Sequence, residues 1–300
     1  MNIKRVGIIR GGALDYESSF KRGSEIILHI LDNLSDKYRP VDMLIDRDGI
    51  WHSNGLPINS GDLTDKIDIL WNTIHADPSI NITHFLIPKV EISSFSSALK
   101  SSRDMLLEHL KTINVKMPRR IVLPLYQKDF DGLVEDYAIN KAKEIFAKFS
   151  PPWIVKSLTP DISMGVHLAK TLGELVDAIK DGVKHQKSIL VEEFISGDNV
   201  SVHSISKFRG ENVYVFPPKD ISKEKKEQLI SLVKDLHYHL GVNHYLKSDF
   251  IFHPHNGFFL TDIDLFPDFK PGSHFSESCE YVGAKIYHII DHMLDNTFVK

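Results

Sequence analysis

Apolar residues along this chain of 300 residues fall into short runs alternating with helical spacing. Val6-Gly7-Ile8-Ile9 predicts a strand that ends at Arg10-Gly11-Gly12. From about Ser18 to Leu34 the spacing is helical, with Ile26, Ile27, Ile30 and Leu31 on one face. Val41 to Ile45 predicts a second strand, Asp46 to Gly49 a turn, and Ile50-Trp51 a hairpin return. Ile67 to Trp71 is a third strand, ending near His75. Strand, glycine turn, helix and strand in succession is the pattern of a parallel α/β domain.

Farther on, Leu99, Met105, Leu106 and Leu110 predict a helix over 96–110, and Pro118, Pro124, Pro151 and Pro152 punctuate the chain beyond it. Trp153 to Lys156 is a compact strand. Thr171 to Ile179 opens with a capping box, Thr171 as N-cap and Glu174 three residues on. Ile189 to Ile195 is an apolar strand carrying Glu192 and Glu193. Val200 to Ile205 and Tyr214 to Phe216 predict further strands, and Ser222 to Leu240 a helix with Ser222 as N-cap. Ser248 to Phe252 and Phe258 to Ile263 form a hairpin about His255-Asn256-Gly257, and Tyr281 to Leu294 a closing helix.

Composition narrows the class. An apolar share of 42% and a charged share of 25% describe a globular chain, and the length calls for two or three subdomains. Lys and Arg number 36 against 40 Asp and Glu, a net charge of −4, and the densest basic cluster, KEKKE at 223–227, reads as a solvated helix face. No nucleic-acid partner is expected. Cys279 is the only cysteine, so neither an intramolecular disulfide nor a CxxC zinc site can form. The apolar run near the start, Val6 to Ile9, is far too short for a signal segment or a membrane span. The expectation is a cytoplasmic protein with no membrane partner.

Candidate chemistry lies mostly on the later strands. Asp249 is expected to begin one strand, and Asp262 and Asp264, two residues apart, to end its hairpin partner on a shared face. Three ionised carboxylates brought together need a cation, and oxygen donors suit Mg²⁺ (or Mn²⁺) held against phosphates; the plainer reading is a solvated acidic turn. Lys156, closing an apolar strand, could meet a phosphate as a point charge or simply snorkel. Glu192 and Glu193 need partners, either a nucleotide's amino and hydroxyl groups or a nearby lysine. The loop over 159–166 holds a single glycine, Gly165, and there is no P-loop. Of the histidines, His237 and His239 fall on different helix faces. His288 and His292 have a helical metal-pair spacing without a third ligand.

Taken in order, these pieces resemble the D-alanine–D-alanine ligase family of ATP-grasp enzymes over nearly the whole chain. The opening glycine turn, followed by Glu17-Ser18-Ser19 and Gly23, is similar to the family's start. It puts the N-terminal catalytic acid at Asp15, Tyr16 or Glu17. Ile74-His75-Ala76 stands where the family has a His-Gly pair, Arg103 where a lysine meets nucleotide phosphate, and Lys156 where a lysine meets ATP. Ser163 and Gly165 fall in the phosphate loop. Glu192, Glu193, Phe194 and Ile195 match the adenine hinge, and Asn199 the ribose position. Lys247 stands for the arginine that steadies the acyl-phosphate, Asp249, Asp262 and Asp264 for the metal ligands, and Ser273 for a contact to the second amino acid.

The resemblance implies an α/β ATP-grasp fold of three subdomains. They are an N-terminal doubly wound domain at 1–95, a central subdomain at 96–188, and a C-terminal antiparallel-sheet domain with the metal ligands at 189–300. It implies an ATP- and Mg²⁺-dependent ligase that phosphorylates one carboxylate and passes the acyl group to an amine, with small amino-acid substrates, a role in peptidoglycan precursor synthesis and a homodimeric state. Several positions depart from the family. Ser157 replaces a proline, Asp161 and Asp268 replace glycines, Asn199 replaces a glutamate, and the stretch between Ser206 and Pro217 is too short for the family's substrate-covering loop. Two other readings therefore stay open: a ligase for a different amino acid or peptide, and a nucleotide-binding relative without turnover.

Overall fold

The computed structural model describes residues 3–13, 16–53, 55–74, 80, 82, 85–101, 103–127, 130, 132–158, 164–186, 188–219 and 221–297. The first sheet contains β1 (Lys4–Gly11), β2 (Tyr38–Ile45), β3 (Trp51–Ser53), β4 (Leu56–Pro57), β5 (Ile69–Asn72) and β6 (Lys89–Val90), in the order β4-β3-β2-β1-β5-β6. β1 pairs in parallel with both β2 and β5. Helix α1 (Tyr16–Asn33) connects β1 to β2. Successive side chains of β1 alternate between two cores. Val6 and Ile8 join Ile26, Ile30, Ile289 and Ile290, whereas Ile9 joins Met43, Ile45, Leu63, Leu70 and Phe85. A strand buried on both faces is what a central parallel strand requires. The face of α1 is narrower than its spacing predicts: Ile26 and Ile30 are buried, but Leu31 is 52% exposed.

The β1–α1 turn depends on glycine. Gly11 has φ +90°, and a Cβ there would stand 2.1 Å from the Ile45 carbonyl oxygen, which already accepts a 2.8 Å hydrogen bond from the Gly12 N–H. The predicted helix at 96–110 is α2 (Ser94–Ser101) followed by α3 (Arg103–Lys111).

The chain divides into two compact units. One comprises Met1–Val115, Val200–Asp249 and Asp262–Lys300, the other Lys116–Asn199 and Phe250–Thr261. The second unit contains β7 (Arg120–Leu123), α4 (Val134–Lys148), β8 (Trp153–Ser157), β9 (His167–Ala169), α5 (Leu172–Lys184) and β10 (Ile189–Glu193), with its strands antiparallel in the order β7-β10-β8-β9. Trp153 and Val155 of β8 and Ile189 and Val191 of β10 point into a core with Tyr137, Ala142, Leu175 and Ile179 from the helices. Thr171 caps α5 by accepting from the Glu174 N–H at 3.2 Å. The return bond is displaced by one residue, since the Glu174 carboxylate accepts from the Lys170 N–H at 2.6 Å.

The remaining elements are β11 (Asp198–Ser206), β12 (Val213–Val215), α6 (Lys223–His239), β13 (Tyr245–His253), β14 (Gly257–Asp264), α7 (His274–Tyr281) and α8 (Ile286–Asp295), with strand order β12-β11-β13-β14. Ser222 holds the N-cap position of α6 without a side-chain cap bond. The single closing helix predicted from Tyr281 is corrected: Tyr281 ends α7 and α8 begins only at Ile286. The break is a Schellman motif. Gly283 takes φ +70°, its N–H bonds to the Glu280 carbonyl at 3.0 Å, and the Ala284 N–H bonds to the Cys279 carbonyl at 2.9 Å.

Two substitutions separate strain from collision. Gly283→Ala places a methyl in open space and is expected to lose about 1 kcal/mol from the left-handed backbone alone. Gly11→Ala adds a collision with backbone that cannot swing aside, and is expected to lose about 2–4 kcal/mol. Urea unfolding of the two variants checks the ranking; equal losses would remove the collision at Gly11.

Candidate active site

In the second unit, strand alternation decides which side chains leave the core. Trp153, Val155 and Ser157 of β8 are buried, so Lys156 projects from the opposite face. Lys156 lies across from Leu190 in the antiparallel ladder, and Glu192 is two residues farther along the same face of β10. The Lys156 Nζ and Glu192 Oε2 are 2.5 Å apart, with side chains 26% and 13% exposed. Lysine is thus a partner of Glu192 in this structure. Glu193 is held by a fork, Arg119 Nε donating to Oε2 at 2.9 Å and Nη2 to Oε1 at 2.7 Å. That guanidinium holds the Glu193 carboxyl below its ordinary range. The chain then leaves the ladder: the Phe194 N–H donates to the Pro152 carbonyl at 3.1 Å, its ring is exposed, and Ile195 turns inward. Asn199 is exposed on β11, and Gly165 is exposed beside buried Met164.

In the first unit, Asp249 lies within β13 rather than at its start. Its Oδ1 accepts from Ser201 Oγ at 2.5 Å, and its Oδ2 is 2.9 Å from the Nζ of Lys247, its neighbour on the same strand face. Asp264 Oδ1 is 2.6 Å from Lys100 Nζ and also accepts from the Phe266 N–H at 3.2 Å. Asp262, exposed and two residues before it, accepts from the Ile263 N–H at 3.0 Å. Among the described residues no three acidic, imidazole or thiol groups are gathered to hold a metal ion. The donors suit a hard divalent cation in kind, since all are carboxylate oxygens. Two of the three now meet lysine ammonium groups, so a cation would take over a charge balance that Lys100 and Lys247 supply.

The other candidates stand apart. Glu17 is exposed in the first turn of α1 and pairs with Arg47 at 2.8 Å. Tyr16 opens that helix and stacks on Phe20, ring centroids 5.9 Å apart. Arg103 opens α3. Ser273 caps α7, its Oγ accepting from the Ser276 N–H at 3.1 Å and donating to the Asp268 carbonyl at 2.9 Å. Asp15, His75, Asp161 and Ser163 lie outside the described residues.

Residues 123–209 match the family model described as D-ala D-ala ligase C-terminus. A D-alanine–D-alanine ligase of Christiangramia forsetii is 24% identical over 94% of this chain and 95% of its own length. In three dimensions the chain is similar to D-alanyl-alanine synthetase A from Vibrio cholerae, with TM-score 0.76, 16% identity and 100% of both chains covered. It is also similar to the D-alanine–D-alanine ligase of Bacillus anthracis solved in complex with ATP, with TM-score 0.71, 16% identity, and 99% of this chain and 97% of that one covered. In sequence and in fold this chain is thus similar to D-alanine–D-alanine ligases. Its fold is the ATP-grasp fold of those ligases. No helix among the described residues is long and apolar enough to cross a membrane.

Two features of the chain escaped sequence reasoning. Lys100 was unmarked because a lysine on an amphipathic helix reads as solvated; its pairing with Asp264 is a tertiary fact. Histidine burial was equally hidden. The two faces expected of α6 are seen, His237 being 1% exposed and His239 exposed. His237 lies between Ser204 Oγ at 2.9 Å from Nδ1 and Ser206 Oγ at 2.7 Å from Nε2. The spaced pair on α8 serves backbone: His288 Nδ1 accepts from the Lys285 N–H at 3.0 Å, and His292 Nε2 is 2.9 Å from the Ser206 carbonyl.

Burial pushes His237 down to about 4. The unfolded chain, with an ordinary histidine near 6.5, therefore binds more protons than the folded one between those values. Stability is fully present above pH 6.5 and is lost as pH falls from 6.5 toward 4, by about 3 kcal/mol for this one group. Denaturant midpoints measured across that window should fall steeply in the native chain and less steeply in His237→Gln; parallel curves would mean that His237 titrates normally.

Proposed function

We propose that this protein is a cytoplasmic, ATP-dependent carboxylate–amine ligase of the D-alanine–D-alanine type, acting in peptidoglycan precursor synthesis. The observation that carries the reading is the face of the β8–β10 ladder that presents Lys156 and Glu192 together beside the hinge at Glu193–Ile195. That face offers an ammonium for a phosphate and a carboxylate for an amino group. It occurs in a fold shared over its full length with enzymes named as ligases.

On this reading the chain works by positioning and electrostatics. Lys156 and Arg103 hold phosphate oxygens. Glu192 accepts from the exocyclic amine of adenine, and Arg119 keeps Glu193 ionised so that the hinge holds its course. Lys247 steadies the negative oxygens of the acyl-phosphate, Ser273 contacts the second amino acid, and the amine of that substrate attacks the acyl carbon, the C–N bond forming as the C–O bond to phosphate breaks, with inorganic phosphate leaving and the amine's proton passing to solvent. When bound, Mg²⁺ (or Mn²⁺) on Asp249, Asp262 and Asp264 supplies charge neutralisation of the phosphates. Asp15 or Glu17, His75, Ser163, Gly165 and Asn199 complete the proposed contacts.

A second reading has its own support. β11 ends at Ser206 and β12 begins at Val213, with a tight turn at Phe208–Gly210 between them in which Arg209 takes φ +53°. So short a connection favours a ligase that joins a different amino acid or a peptide.

Calorimetric titration with ATP, with and without Mg²⁺, followed by ADP release with D-alanine and a panel of other amines, tests both. Magnesium-dependent binding with ADP release is expected. Binding without release would leave a nucleotide-binding relative, and release only with another amine would establish the second reading. Lys156→Ala should weaken ATP binding about tenfold to a hundredfold, the loss of one charge-assisted hydrogen bond, with little change in melting temperature. A large fall in melting temperature with affinity retained would make Lys156 structural.

A further inference from the structure

Two residues before Lys247 on β13, Tyr245 begins a row of three polar rings, the first two of them buried. The Tyr245 hydroxyl is 2.7 Å from His203 Nδ1, and His203 Nε2 is 2.7 Å from His274 Nδ1. Tyr245 and His203 are both 2% exposed, and the ring of Phe275 packs against both with centroids 5.0 Å away. His274 is the first residue of α7 and lies at the exposed end of the row. Among the described residues its Nε2 has no hydrogen-bond partner.

The row has only one satisfied arrangement of protons. Burial keeps the Tyr245 phenol protonated and His203 neutral. The phenol is a buried donor whose sole partner among the described residues is His203 Nδ1, and leaving such a donor unmade is costly. Tyr245 therefore donates to Nδ1, and His203 carries its single proton on Nε2. His203 then donates to His274 Nδ1, which must accept. A neutral His274 is left with its proton on Nε2, at the exposed edge, as a hydrogen-bond donor. Reversing the row, or protonating His274 on Nδ1, would strand the tyrosine hydroxyl. The groups acting on His274 electrostatically are the Lys247 and Lys219 ammoniums and the Glu277 and Asp249 carboxylates.

We propose that His274 is an oxyanion-binding donor working beside Lys247, and that Tyr245 and His203 are positioning residues that fix it in the Nε2–H form. A lysine is a point charge without directional preference; a fixed imidazole N–H adds a direction. The oxyanion is a carboxylate or a phosphoryl oxygen, and its assignment to a ligase substrate rests on the function proposed above.

The test is a long-range proton–nitrogen correlation spectrum of the full chain labelled with ¹⁵N-histidine, at pH 7.5 and free of ligand, with His274→Gln to assign the signal. The Nε2–H tautomer is expected for both His203 and His274. In Tyr245→Phe, which keeps the ring and removes the donor, His274 should acquire a substantial Nδ1–H population. An Nδ1–H tautomer in the native chain would overturn the proposal without recourse to any variant. Titration with inorganic phosphate and, separately, with D-alanine should shift the His274 Nε2 signal with whichever ligand supplies the oxyanion, and about fivefold more weakly in Tyr245→Phe. A signal unmoved by both ligands would overturn the binding role. Since the tautomer is read without turnover, failure to release ADP would sink the ligase reading and leave this result standing.

Discussion

A carboxylate on a half-buried strand must find positive charge or surrender its own, and this constraint organises the parts of the protein that matter most. Glu192 takes Lys156, Glu193 takes Arg119, Asp249 takes Lys247 and Asp264 takes Lys100. Each pair joins residues of one compact unit. The pairing of Lys156 with Glu192 follows from antiparallel register, which sets Lys156 opposite Leu190 and so within reach of the acid two residues on. The pairing of Lys247 with Asp249 follows from strand periodicity alone.

Much of the fold was legible because it rests on local pattern. Both periodicities were visible at β1 and α1, and Gly11 and Gly12 announced a turn that no side chain could occupy. Thr171 with Glu174 fixed the start of α5. What pattern could not show was a second helix before the closing one. Spacing from Tyr281 to Leu294 reads as one helix, and only the bonds from Gly283 to Glu280 and from Ala284 to Cys279 show that one helix ends there and another begins.

The candidate site was legible in its residue types and less so in its arrangement. Asp262 and Asp264 do share a strand face, because period two follows from the chain itself. Their relation to Asp249, and the intrusion of Lys100, depend on how distant segments meet. Histidines were the least readable. His203, His237 and His244 are all kept neutral by burial, and nothing in their sequence neighbours distinguishes them from exposed His239 or His255. Only the packing of strand against helix does.

If a nucleotide binds where proposed, the ion pair between Lys156 and Glu192 makes its entry an exchange of partners rather than the filling of an empty place. A molecule that offers phosphate alone must draw the ammonium away from a carboxylate that is only 13% exposed. A molecule that carries an anion at one end and an N–H donor at the other satisfies both groups in one step. On the proposed function the two strands would act as a conjunction gate, which a nucleotide passes, whereas free polyphosphate or a bare base meets only half of its terms.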